Sequence, residues 1–216
     1  MRFAILGGLT ASLLLAPAVP ALAAAPAKPL TPAQLRAALL TPEDLGDGFT
    51  PNTKRRRAAL APDAAHTKKC VQAIKALKPL LASKAAVFID KEGEPSGVKQ
   101  FALSAAPARL IPWQRVGKVM VRDCAGVNAS TKKIKEKISK LSVGKLGDWA
   151  YGIRYSKTIP EMNPEPIHAM DVVLIRVKNT VTLLVSDGFF ATFDPDLSRQ
   201  AAEAAVPKLQ DAQETA

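Results

Sequence analysis

The stretch DWAYGIRYSKTIPEMNPEPIHAMDVVLIRVKNTVTLLVSDG, residues 148–188, decides the fold. Trp149, Tyr151, Ile153 and Tyr155 recur at every second position, and Ile167–Val177 runs almost unbroken in apolar and β-branched residues. Lys178-Asn179 reverses the chain, after which Val181, Leu183 and Val185 resume the alternation. Period-two apolarity rich in Val, Ile, Trp and Tyr, broken by a tight turn, predicts three antiparallel strands.

Moving outward, the preceding segment 130–143 admits two periods. As a strand it places Lys133, Lys135 and Lys137 on one face; as a helix it aligns Ile134, Ile138 and Leu141. The meander needs a partner strand, so strand is preferred, and either way the segment presents a basic surface. Further upstream, Ala86–Asp90 and Val98–Ser104 form a hairpin around the polar turn Lys91–Pro95. Its acidic cluster lacks the ligand spacing of a calcium loop, so no metal is expected there.

Helical periods frame these strands. Cys70, Ile74, Leu77 and Leu81 share one stripe, with Lys68, Lys69, Gln72 and Lys75 opposite. A second helix is expected from Pro112, carrying Trp113, Val116, Met120 and Cys124 on one face and Gly126 at its end. Both cysteines thus project from apolar stripes of separate helices, which predicts a Cys70–Cys124 disulfide. A short N-terminal helix is capped by Thr31-Pro32, and Thr41-Pro42 repeats the cap for a turn through Leu45. Asp194-Pro195 is expected to open a last helix with the small-residue face Leu197, Ala201, Ala204, Ala205 and Leu209, ended or kinked by Pro207. The expected architecture is α+β: one antiparallel sheet of about six strands with helices on one face, the other face partly open, and one helix–helix disulfide.

The N-terminus reads as a signal peptide. Arg2 gives the positive end, Ile5–Leu15 the apolar core, and Ala21-Leu22-Ala23 the cleavage site. The core is too short to span about 30 Å of hydrocarbon. Residues 24–30 form an Ala/Pro linker, and 31–216 are expected to make a single domain. The chain carries a net charge of +11, of which only Arg2 lies in the leader. Such a cation gathers near polyanions, which outside a cell means anionic lipid or wall polymer. The run Lys54, Arg55, Arg56 and Arg57 would suit an anion contact; behind a signal peptide it does not imply nucleic acid.

With these elements placed, the chain resembles the secreted and lipoprotein-type sensor domains of actinobacteria, including the extracellular domain of a group of their serine/threonine protein kinases. The carrying segments are LLTPEDLGDGF (39–49), KKCVQAIKAL (68–77), VMVRDCAG (119–126), GDWAYGIRY (147–155) and VVLIRVKNTVTLLV (172–185), with the Ala-rich final helix. The resemblance implies an antiparallel sheet flanked by helices around a cleft, and ligand sensing without catalysis. It departs from the family in lacking a kinase and in allowing only one disulfide, so it implies a freestanding binding protein.

Reaction chemistry finds no pattern to rest on. His66 and His168 have no metal-helix partner, there is no G-x-S-x-G elbow, and Ser142–Lys145 matches S-x-x-K without the helix and K-T-G that motif requires. A non-enzymatic protein without cofactor is therefore expected. Trp149, Tyr151 and Tyr155 share a strand face, either as core under the helices or as the floor of a cleft. Arg154 and Arg176 lie at opposite-parity positions of strands and could hold an anion; aromatic floor plus nearby arginine would suit a lipid-like or aromatic ligand with an acidic group. The competing expectation is an interaction protein whose basic face meets anionic lipid or wall polymer without a small-molecule pocket.

Overall fold

The computed structural model describes residues 28–53 and 68–216. The signal peptide, Lys54–Arg57 and His66 lie outside the described residues. Eight strands form one sheet: β1 (Phe49–Pro51), β2 (Ala85–Lys91), β3 (Ser96–Ser104), β4 (Asn128–Ser130), β5 (Lys135–Leu141), β6 (Trp149–Thr158), β7 (His168–Val177) and β8 (Thr180–Phe189). Their order is β1-β2-β3-β8-β7-β6-β5-β4, and every neighbouring pair is antiparallel. The expected three-strand meander is β6-β7-β8, and segment 130–143 supplies strand β5. The sheet exceeds six strands because β1 and β4 cap its two edges. Each has only three residues, too few to show a period in sequence.

Among the described residues five α-helices accompany the sheet, α1 (Pro32–Ala37), α2 (Lys68–Lys75), α3 (Lys78–Leu81), α4 (Pro107–Cys124) and α5 (Leu197–Glu214), together with the expected turn as a 3-10 helix at Pro42–Leu45. They do not share one face, which corrects the expected two-layer arrangement. Met170, Val172 and Leu174 of β7 join a core with Cys70, Leu80, Trp113 and Met120 from α2, α3 and α4. Their neighbours Val173, Ile175 and Val177 join a second core with Leu35 of α1 and Ala201, Ala205 and Leu209 of α5. Successive strand side chains point to opposite faces, so helices cover the sheet on both sides. The apolar run through β7 follows from this burial, since a strand covered twice has no solvent face to make polar.

Helix ends differ from expectation in two places. The second main helix begins at Pro107, with Pro112 inside it. Pro107 sits at the first helical position, where its missing N–H costs nothing, and Pro112 forfeits a single bond one turn later. The last helix begins at Leu197, with Asp194 in the preceding loop, its carboxylate accepting from the Asp196 amide. Pro207 does not end that helix, which continues to Glu214. Val206 and Leu209 on either side of it are buried against the sheet, and that packing outweighs the proline's local cost.

Cys70 and Cys124 form the expected disulfide, with Cα atoms 4.8 Å apart and both side chains fully buried. It fastens α2 to α4 on one face of the sheet. Gly126 takes φ +94° two residues after Cys124, and its amide donates to the Ile138 carbonyl at 2.8 Å, turning the chain from α4 into the β4–β5 edge. Among the described residues no helix is long and apolar enough to cross a membrane.

Candidate functional site

A cleft of about 390 Å³ opens where β5 ends, between α4 and the first residues of β6. Its size lies within the range of small-molecule sites, ~300–1,000 Å³. Helix α4 contributes Lys118, Val121 and Arg122, so two cations one helical turn apart stand over one wall. Lys140 comes from β5, on the side of the strand that also carries Ile138. Leu141, Val143, Ala150 and the Tyr151 ring make the apolar lining, with Ser142 and Gly144 between them. Among the described residues no acid lines the cleft.

The local sequence explains the opening. Strand β4 pairs with Lys135–Lys137 and the residues before β4 hydrogen-bond Ile138, so beyond Ile138 the end of β5 has no strand partner on that side among the described residues. Segment 141–143 folds closely over Gly152, where a Cβ would stand 2.9 Å from a Val143 methyl and 3.1 Å from the Leu141 carbonyl oxygen. On the other side α4 lies directly on Tyr151 through Gly117, holding the ring as part of the cleft wall.

The three cations differ in what they hold. Arg122 donates to both oxygens of Asp123, Nε at 2.6 Å and Nη2 at 3.0 Å. That hydrogen bond raises the Arg122 pKa and lowers that of Asp123. Lys118 and Lys140 are exposed and, among the described residues, make no ion pair. The cleft therefore carries two uncommitted point charges beside a partly neutralised guanidinium.

The candidate residues read from sequence are distributed as follows. Tyr155 is core, buried on the α4 side with its hydroxyl donating to Glu136 at 2.7 Å. Trp149 is half-buried and packs on Tyr151 with ring centroids 5.4 Å apart. Of the aromatic trio, Tyr151 alone borders the cleft. Arg154 and Arg176, at the opposite-parity positions read from sequence, are not brought together. Arg154 lies on the α5 side, bound to both oxygens of buried Asp171 at 2.7 and 2.8 Å and to the Pro195 carbonyl at 3.0 Å. Arg176 lies on the α4 side, donating to the Lys178 carbonyl and pairing with Asp148. Opposite strand parity separates the two arginines by the thickness of the sheet. Lys135 and Lys137 are exposed on β5, on the face opposite Lys140, and Lys133 is exposed in the β4–β5 turn. His168 is half-buried and stacked on Phe189, with ring centroids 4.2 Å apart.

Searches against protein-family models find no match. No curated protein matches the sequence. The extracellular domain of PknH from Mycobacterium tuberculosis superposes with a TM-score of 0.55 at 13% identity, covering 85% of this chain and 98% of that domain. The fold is shared. An uncharacterized protein of Mycobacterium smegmatis, the Rv0999 ortholog, is also similar, with a TM-score of 0.44 at 12% identity over 82% of this chain and 94% of that one. At these identities the likeness to PknH concerns the arrangement of sheet and helices.

Lys118, Arg122 and Lys140 escaped the sequence reading. Lys118 and Arg122 stand one turn apart on the expected helix, but nothing in sequence places that helix over the end of β5. Only the crossing of α4 over β5 and β6 sets Lys140 and Tyr151 against them.

Proposed function

We propose that this protein is an extracytoplasmic, sensor-like binding module without catalytic activity that takes an anionic ligand in the cleft between α4 and the β5–β6 edge. The observation carrying this reading is that Lys118 and Lys140, which make no ion pair among the described residues, line the same cleft as apolar side chains, with no acid among the described lining residues. A buried apolar surface supplies affinity and the cations supply orientation and selectivity, the division of labour usual in ligand sites. The shared fold with the PknH extracellular domain and the signal-peptide pattern support placement outside the cytoplasm.

Native mass spectrometry of protein recovered from its own cell envelope tests the proposal. The expected result is a retained anionic mass that disappears in Lys118→Glu/Lys140→Glu and persists in Lys135→Glu/Lys137→Glu. A second reading, docking of a basic surface on anionic lipid or wall polymer, rests on the exposed Lys133, Lys135 and Lys137 at the sheet edge. It predicts the reverse: no retained molecule, and a salt-sensitive surface association lost in the Lys135/Lys137 variant.

A further inference from the structure

Resting on that reading, we infer that the cleft is built for a phosphoryl group carried on an apolar chain, rather than for a carboxylate or a free inorganic anion. Three observations converge on this chemistry.

The first concerns the kind of cation. The planar fork of an arginine matches a carboxylate or a phosphate with two parallel hydrogen bonds, whereas lysine binds phosphate as a point charge. Arg122 is the one arginine lining the cleft, and its Nε–Nη2 edge already holds Asp123. What remains are two lysine ammonium groups, compact charges whose three donors suit the several oxygens of a phosphoryl group approached from different sides. Lys118 belongs to the helix and Lys140 to the strand, so the two ammonium groups reach the cleft from separate elements.

The second concerns the amount of charge. Three lining cations set against the adjacent Asp123 leave a surplus of about two positive charges. A phosphomonoester carries about −1.5 to −2 at neutral pH, whereas a carboxylate carries one negative charge. The balance favours the dianion.

The third concerns the wall. Val121 and Tyr151, which pack toward the first core, and Leu141 and Val143, which pack toward the second, give the cleft an apolar lining around the end of β5. An inorganic anion would leave that surface in contact with water; a hydrocarbon chain attached to the phosphoryl group would cover it. Cations and apolar surface side by side in one cleft match a charged head group joined to a hydrocarbon tail.

Calorimetric titration of the purified chain at 150 mM salt with octyl phosphate, octanoate and inorganic phosphate tests the assignment. The expected result is octyl phosphate binding at least tenfold more tightly than either other probe, with that advantage lost in Lys118→Glu/Lys140→Glu and kept in Lys135→Glu/Lys137→Glu. Affinity for octyl phosphate should also weaken as pH falls through about 6, where the second phosphate proton is taken up. Octanoate binding as tightly as octyl phosphate would overturn the phosphoryl assignment and leave anion binding standing. Inorganic phosphate binding as tightly would overturn the role given to the apolar chain. If none of the three binds, this inference fails, while an anionic mass retained in protein from its native envelope would still uphold the broader reading.

Discussion

Gly117 on α4 and Tyr151 on β6 are in direct contact: a Cβ at position 117 would stand 2.3 Å from the ring Cδ2 and 2.9 Å from Cγ. No side chain fits between this helix and the sheet at that point, which is how α4 comes close enough to place Lys118 and Arg122 at the cleft. Gly117→Ala should therefore destabilise the protein. Overpacking costs about 1–3 kcal/mol, and the helix-propensity gain of ~1 kcal/mol for replacing glycine offsets only part of it. Urea denaturation should show a lowered midpoint, partly restored when Tyr151→Ala is added. A midpoint equal to or above that of the parent would refute the contact.

The Cys70–Cys124 bridge spans a sequence separation of 54 residues and joins two helices on one face of the sheet. In the loop-entropy description, closing a loop of that length contributes about 4 kcal/mol, and measured values commonly fall between about 2 and 4. The Cys70→Ala/Cys124→Ala protein should lose stability on that scale in equilibrium unfolding. Because both sulfurs are fully buried, reductant should act on the native protein slowly and on the unfolded chain quickly. Rapid reduction under native conditions would contradict the packing of α2 on α4.

On the opposite face, Asp171 is completely buried and is held by Arg154 and by the Ser198 hydroxyl at 2.5 Å. Arg154 also binds the Pro195 carbonyl and lies over the Phe193 ring, tying the loop before α5 to β6. Removing one member of a buried pair strands the other, a loss of about 3–5 kcal/mol. Arg154→Met should show that loss, and Arg154→Met/Asp171→Leu should recover most of it. Equal stability of the single and double variants would mean that Asp171 tolerates isolation, and the account would be wrong.

The pH response should have a defined sign. Burial lowers the His168 pKa, with Asp187 opposing and Lys99 and Lys157 adding to the effect. A histidine whose folded pKa lies below its unfolded value takes up protons more readily when unfolded, so stability falls as pH drops below about 6.5 toward the folded value. His168→Phe should flatten that part of the curve of stability against pH. Asp44 acts at lower pH. Its desolvation is overcome by hydrogen bonds from Lys208 and the Thr41 amide, so its pKa is lowered. The stability this gives is present above the unfolded carboxylate pKa and lost as pH falls through the folded one. A flat profile between pH 7 and 5 in the parent would remove the role assigned to His168.

Much of the fold was readable because it is written in local periods. The two-residue alternation from Trp149 to Tyr155, the Lys178-Asn179 reversal and the cysteine-bearing helical stripes each report a backbone geometry that neighbouring residues alone enforce. The continuous apolar run in Ile167–Val177 carries the sign of a strand buried on both faces. β1 and β4 could not be seen, since three residues carry no period and are held by the register of β2 and β5.

By itself, then, the order of residues determined the strand and helix types, the thiol pairing and the basic character of the chain, because each depends on spacing along the backbone or on composition. The three-dimensional packing alone decided that helices sit on both sides of the sheet and that Lys118, Lys140 and Tyr151 line one opening. Those facts depend on how α4 crosses strands that lie far from it in the chain, and the energy fixing that crossing comes from contacts such as Gly117 with Tyr151, which no local pattern encodes.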